Sequence, residues 1–148
     1  MSLSRNSLTP GALVLGAGGN VGFGVVGALL EAGSPVLAVG REGPRMSALA
    51  EHFDDEPGLD LLHAPCIHDD RDAARLAEQV RERDRPLRAV FASMGTPPQS
   101  GRLLDRPASF LLERREADLI PHLAAARHLL PLLAEGQHAA NYVLIGGP

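Results

Sequence analysis

The sequence predicts an α/β fold, a three-layer doubly wound parallel sheet with helices on both faces. Short apolar runs alternate with amphipathic stretches along the whole chain, the order that builds parallel β-α-β units with right-handed crossovers. The strand runs are apolar at nearly every position, as a sheet covered on both sides requires. A cluster of glycines, Gly16, Gly18, Gly19, Gly22, Gly24 and Gly27, marks the first strand-to-helix corner.

Each element follows from its own residues. "GALVLG" is a valine- and leucine-rich run closed by glycine, hence a first strand. Val21, Val25, Val26, Leu29 and Leu30 then recur at helical spacing and stop at "EAGSP". "PVLAVG" reads as a second strand, and "GPRMSALAEHF" as a helix with Pro44 in its first turn. "GLDLLHA" is a third strand. In "DDRDAARLAEQVRERDRP", Ala73, Leu76, Ala77 and Val80 share one face, with an aspartate placed to cap. "LRAVFASMG" is a fourth strand leading into the loop "TPPQSGRLLDRP". From Ala108 to Glu135 a helical pattern sets Leu119, Leu123, Ala126, Leu130 and Leu133 on one stripe. Pro121 kinks this helix or marks its true first turn. "NYVLIGG" supplies a fifth strand.

Composition narrows the function. The 148 residues, 45% apolar and 22% charged, suffice for one globular domain with a substantial core. That domain is expected to span residues 11–148, after a polar, disordered leader over residues 1–10, "MSLSRNSLTP". A net charge of -4 without a basic cluster argues against nucleic-acid binding. The lone Cys66 excludes an internal disulfide. Nothing reads as a secretory signal, and no apolar run reaches membrane-spanning length, so the expected location is cytoplasmic with no membrane partner.

The glycines are the strongest chemical signal. At a strand-to-helix corner, backbone N–H groups and the helix dipole converge on whatever lies beyond the strand ends, and residues without side chains let a pyrophosphate approach. A tight turn with close helix–sheet packing is the plainer account, but it needs only one or two glycines. The regular spacing Gly16, Gly19, Gly22 favours a dinucleotide cradle, with Gly18, Asn20 and Val21 contributing to it. Gly27, deep in the helix, reads as a packing glycine. A mononucleotide P-loop is excluded because no Gly-Lys-Ser/Thr follows. After the second strand, an acidic residue would bind a ribose 2′-hydroxyl, whereas an arginine accommodates a 2′-phosphate. Arg41 stands there with Arg45 nearby, so NADP is favoured over NAD.

Other polar residues carry less. The six histidines, His52, His63, His68, His122, His128 and His138, show no helical ligand spacing, so no metal is expected. Cys66 reads as a small buried filler rather than a nucleophile. "ERREAD" reads as a solvated helix face, and "RERDRP" as a helix end whose cations suit the C-terminal dipole.

The segment "LVLGAGGNVGFGVVGALLEAGSPVLAVGRE" resembles the opening of the short-chain dehydrogenases/reductases, and the resemblance runs from Ala12 to Gly147. It implies a Rossmann-like sheet with strand order 3-2-1-4-5. By the same resemblance Cys66 and Ile67 lie at the adenine-contacting strand end. Ala92, Ser93 and Met94 occupy the place of the family's Asn-Asn-Ala-Gly strand end, and "NYVLIGG" that of the strand delivering the catalytic serine.

The departures concentrate in the chemistry. Leu15 stands where a threonine often precedes the first glycine, and Asn20 replaces the second glycine of the classical pattern, so Gly-x-x-Gly-x-x-Gly fits better. Cys66 replaces an aspartate. Asp118 takes the helix asparagine's place, as the single catalytic candidate, and Gly146 or Gly147 falls where the serine belongs. A Tyr-x-x-x-Lys pair would lie beyond Pro148; Tyr142 has no lysine four residues on, and the sequence contains no lysine. The resemblance therefore implies an NADP(H)-dependent oxidoreductase acting on an unknown small carbonyl or hydroxyl compound, if completed by a C-terminal part. The alternative is a non-catalytic dinucleotide-binding sensor or regulatory module. Self-association is expected through the fifth strand, exposed at a sheet edge, or through the Leu119–Leu133 stripe.

Overall fold

Gly11–Leu15 forms β1, a strand buried at every position. It is the central strand of the computed structural model, which describes residues 9–97, 99–136 and 138–146. Helix α1 (Asn20–Glu31), β2 (Val36–Gly40), α2 (Pro44–His52), β3 (Leu59–His63), α3 (Asp70–Glu82) and β4 (Leu87–Ala92) follow in strict alternation. A short 3-10 turn at Leu103–Asp105 precedes α4 (Ser109–Arg114), a π-helical turn at Arg115–Leu119 and α5 (Ile120–Ala134). The last strand is β5 (Asn141–Leu144). The order is β3-β2-β1-β4-β5 with every pairing parallel, as the sequence resemblance implied. Most of the expected leader, residues 1–8, and the serine-position Gly147 lie outside the described residues.

The period of two along each strand divides the core between the two sheet faces. Leu13, Leu15, Leu37, Val39, Val90 and Ala92 pack with α3 and α5, whereas Val14, Val36 and Ala38 pack with α1 and α2. Register enforces this division, since Leu13 lies opposite Leu37 on one side and Val90 on the other. From α3 the predicted face Ala73, Leu76, Ala77 and Val80 is buried. At its start Asp69 accepts the N–H of Asp72 at 3.0 Å, which holds the Asp69 carboxyl below the usual carboxylate range. Beyond its end Arg83 is more than a dipole partner: Nη1 donates to both carboxylate oxygens of Asp60 at 2.7 and 2.8 Å, tying helix to β3.

Two helical faces differ from the sequence expectation. On α5 the buried residues are Pro121, Ala124, Ala125, Leu129 and Leu133. Leu119, Leu123 and Leu130 of the predicted stripe are instead about half exposed, and only Leu133 is in the core. Small alanines let α5 sit close to the sheet, so the face richest in leucine turns outward. Pro121 is the second residue of α5, directly after the π-helical turn, so the change of helical pitch falls where the proline removes an N–H. On α1 the core face is Gly22, Val26 and Leu30, and Val21 is exposed.

Edge strand β5 is only half-buried, and its Tyr142 packs against the α3/α5 core. The Tyr142 hydroxyl is buried without a hydrogen-bond partner among the described residues, and burial pushes its phenol up to about 12 from 10.0. Because the folded value lies above the unfolded one, the associated stability is intact below pH 10 and is lost as pH rises from 10 towards 12. With no lysine and one tyrosine in the sequence, Tyr142 is the side chain that titrates in that window. Denaturant midpoints should therefore fall across it in the wild type and stay flat in Tyr142→Phe. A folded-state tyrosinate absorbance midpoint near the ordinary tyrosine value would contradict this.

Candidate functional site

A parallel sheet places the C-terminal ends of all its strands on one edge. The chain leaves β1 there at the point where neighbouring strands diverge, β2 on one side and β4 on the other. Such a switch point opens a crevice beyond the strand ends.

The glycine turn fills this corner with backbone alone. Gly16 has φ +70°, and a Cβ on it would lie 1.9 Å from the Ser93 carbonyl oxygen. A Cβ on Gly22 would lie 2.1 Å from the Gly16 carbonyl oxygen. These two glycines are therefore required by the protein's own backbone. Hydrogen bonds from Ala17 N–H to Val39 C=O and from Gly19 N–H to Gly16 C=O, each 3.0 Å, fix the loop between them. Gly19 is the N-cap of α1 and brings no side chain to close it. The N–H groups of Asn20, Val21 and Gly22 belong to the first helical turn, where no intrahelical acceptor exists and the dipole is positive. Asn20 and Val21 are exposed. A helix end of this kind suits an anion.

Cations flank the turn. A Cβ on Gly18 would lie 3.1 Å from Cβ of Arg45, so that position admits α2 closely. Arg45 and Arg41, which follows β2, are exposed and have no ion-pair or hydrogen-bond partner among the described residues. Gly27 is a packing glycine, as read from the sequence, with Phe53 3.3 Å from the position of a Cβ. Gly24 faces open space.

The remaining predicted cofactor residues line the same sheet edge. Ile67, beyond β3, is buried in the core, whereas Cys66 is exposed rather than the small buried filler expected. The chain turns outward there before the Asp69 cap, leaving the thiol side in solvent. Ala92 is fully buried, Ser93 N–H donates to Leu15 C=O at 3.1 Å, and Met94 packs against the core.

Asp118, the catalytic candidate, is engaged. Its Oδ1 accepts Thr96 N–H at 3.0 Å and Thr96 Oγ1–H at 2.9 Å, and its Oδ2 pairs with Arg114 Nη2 at 2.6 Å. Arg114 Nη1 donates to Thr96 Oγ1, closing a triangle. "ERREAD" spans the end of α4 and the π-helical turn: Glu113, Arg115 and Glu116 are exposed, as a solvated face requires, whereas half-buried Arg114 and Asp118 grip the loop after β4. His122, one of the six histidines and not assigned to the site by sequence, donates from Nε2 to Met94 C=O at 2.8 Å. Its signal was the four-residue spacing Arg114, Asp118, His122, which puts three polar side chains on one helical face. Among the described residues no group of three His, Cys, Asp or Glu is placed to hold a metal. No described helix is long and apolar enough to cross a membrane.

No protein-family model and no curated protein matches the chain. Solved structures do. The RhlG/NADP active-site complex of Pseudomonas aeruginosa superposes with a TM-score of 0.80 at 23% identity, covering 99% of this chain and 58% of that one. A short-chain type dehydrogenase/reductase from Mycobacterium ulcerans gives 0.79 at 18% identity, covering 95% and 52%. ElxO with NADP bound gives 0.79 at 12% identity, covering 95% and 56%. The chain therefore has the Rossmann-like α/β fold of short-chain dehydrogenase/reductase structures and spans little more than half the length of these neighbours.

The turn's steric requirements make a contrast testable by thermal denaturation. Gly16→Ala and Gly22→Ala should each cost at least about 1–3 kcal/mol, because backbone must move. Gly24→Ala, in an open helical position, should stabilise by about 0.5–1 kcal/mol. Equal effects at the three positions would refute the assignment.

Proposed function

We propose that this chain is the cofactor-binding portion of a short-chain dehydrogenase/reductase that holds NADP(H) at the end of β1 and, completed by a C-terminal part, transfers hydride to or from a small carbonyl or hydroxyl compound. One observation carries the reading: an uncapped helix N-terminus, reached through a glycine-rich turn, stands at a switch point of the sheet beside two arginines that have no partner among the described residues. NADP complexes among the structural neighbours support it.

In this reading the N–H groups of Asn20, Val21 and Gly22 bind the pyrophosphate, and Gly16, Gly18 and Gly19 shape the turn that presents them. Arg41 and Arg45 hold the 2′-phosphate. Cys66 and Ile67 border the adenine, and Ala92, Ser93 and Met94 border the nicotinamide half. A bound dinucleotide supplies the hydride donor or acceptor; the chain's own residues bind and orient it. Proton transfer is where this chain is poorest. Asp118 is held by Thr96 and Arg114, the Tyr142 hydroxyl is buried, and no lysine is present to tune a phenol. We place the protein in the cytoplasm and expect it to self-associate, since Leu119, Leu123 and Leu130 form an exposed apolar stripe on α5.

Calorimetric titration should show NADP(H) binding about tenfold or more tightly than NAD(H), the scale of a charge-assisted phosphate contact. Arg41→Ala should erase that preference without unfolding the protein. Equal affinities in the wild type would overturn the NADP assignment.

Incubated with NADPH and a panel of ketones, aldehydes and quinones, the chain as given should consume no cofactor above a substrate-free blank. Turnover abolished by Asp118→Asn would refute this and make Asp118 the acid. Sedimentation at micromolar concentration should show a dimer or larger species, which Leu123→Glu shifts towards monomer; a monomeric wild type would refute self-association.

A further inference from the structure

We propose that Arg114, Asp118 and His122 form a positioning ladder that holds the end of β4 against the glycine turn, so that residues on a different element set how firmly the turn keeps its shape. The consequence for cofactor affinity rests on the dinucleotide reading above; the ladder itself does not.

The contacts run in one unbroken sequence. His122 Nε2 holds the Met94 carbonyl at 2.8 Å, and Asp118 Oδ1 holds the Thr96 N–H at 3.0 Å. Between them Gly95 passes close enough that a Cβ would lie 3.7 Å from Asp118 Oδ1. Two residues, Met94 and Thr96, are thus held on either side of Gly95 by side chains at four-residue spacing. Immediately upstream, Ser93 N–H donates to Leu15 C=O at 3.1 Å. The Ser93 carbonyl oxygen then occupies the place a Gly16 side chain would need, 1.9 Å from its Cβ position. Gly16 C=O in turn accepts Gly19 N–H at the N-cap of α1. From the ladder's grip the contacts pass through Ser93, Leu15, Gly16 and Gly19 to the start of α1, by hydrogen bonds and one close backbone approach.

The chemistry of the ladder suits this task. The Arg114 guanidinium pairs with Asp118 Oδ2 at 2.6 Å and also donates to Thr96 Oγ1. The Thr96 hydroxyl donates onward to Asp118 Oδ1 at 2.9 Å. Arg114, Asp118 and Thr96 thus answer one another's charges and donors inside the triangle, which makes it a clamp rather than a reactive site. His122 stands outside the triangle: its Nε2 is spent on Met94 C=O, and its buried Nδ1 has no hydrogen-bond partner among the described residues. Coupling of this kind travels through contiguous contacts and is measured as a change in affinity or local opening.

The test combines residue-resolved amide exchange on the unliganded protein with NADP⁺ titration, at a temperature where all variants are folded. Asp118→Ala should speed exchange at Thr96, Ser93 and Gly19 and weaken NADP⁺ binding about threefold to tenfold. Asp118→Asn keeps the Oδ1 acceptor and should restore protection at Thr96 and most of the affinity. Leu133→Ala, which removes a buried contact on the sheet-facing side of α5, should lower stability while leaving those amides and the affinity unchanged. Unchanged exchange at Ser93 and Gly19 in Asp118→Ala would overturn the ladder, and so would Leu133→Ala reproducing its pattern. If the wild type binds no dinucleotide, the functional reading fails, while the exchange pattern still decides the ladder.

Discussion

At the end of β1 the protein brings two pieces of backbone closer than any side chain allows. The Ser93 carbonyl sits against the α-carbon of Gly16, and the Gly16 carbonyl sits against that of Gly22. The first approach locks the ends of β1 and β4 together; the second draws α1 down onto the strand it follows. Much else depends on these two contacts. They set where α1 begins, hence which amides lie unpaired, and they fix the crevice at the one place where the sheet's connectivity reverses.

The same contacts explain what was legible beforehand. A glycine demanded by backbone crowding leaves a mark in sequence, so the turn and its position between strand and helix were readable without coordinates. The parallel alternation was readable for a similar reason, since strands such as "ALVL" and "VLAV" have no polar face to offer solvent. The leucine stripe of α5 misled because periodicity identifies a helix without saying which face turns inward. Alanine packs closer to a sheet than leucine, so the less hydrophobic face won the interior. The Arg114–Asp118–Thr96 triangle was hidden for another reason. It joins residues 18 and 22 apart in sequence across a loop and a π-helical turn, and no local pattern encodes such a meeting.

Binding and chemistry sit at different distances from the chain's fixed points. The amides that open α1 follow directly on β1, whose Leu13, Val14 and Leu15 are essentially without exposure. The polar groups near the β4 end are spent on one another, charge against charge and donor against acceptor. A carboxylate that already accepts two hydrogen bonds and an ion pair has little left for a reacting proton, so its environment favours holding a loop in place.

The solitary Tyr142 has a consequence for how this protein can be watched. With no tryptophan and one tyrosine, nearly all of its near-ultraviolet signal originates from one ring on β5. That ring lies at the rim of the sheet, against the outer core and far along the order from β3. Tyrosine fluorescence would therefore report the docking of an edge strand, while the β1–β2–β3 half carries neither tyrosine nor tryptophan. An unfolding curve recorded by such a probe follows this edge strand, and only a heat-capacity or backbone measurement reports on the centre.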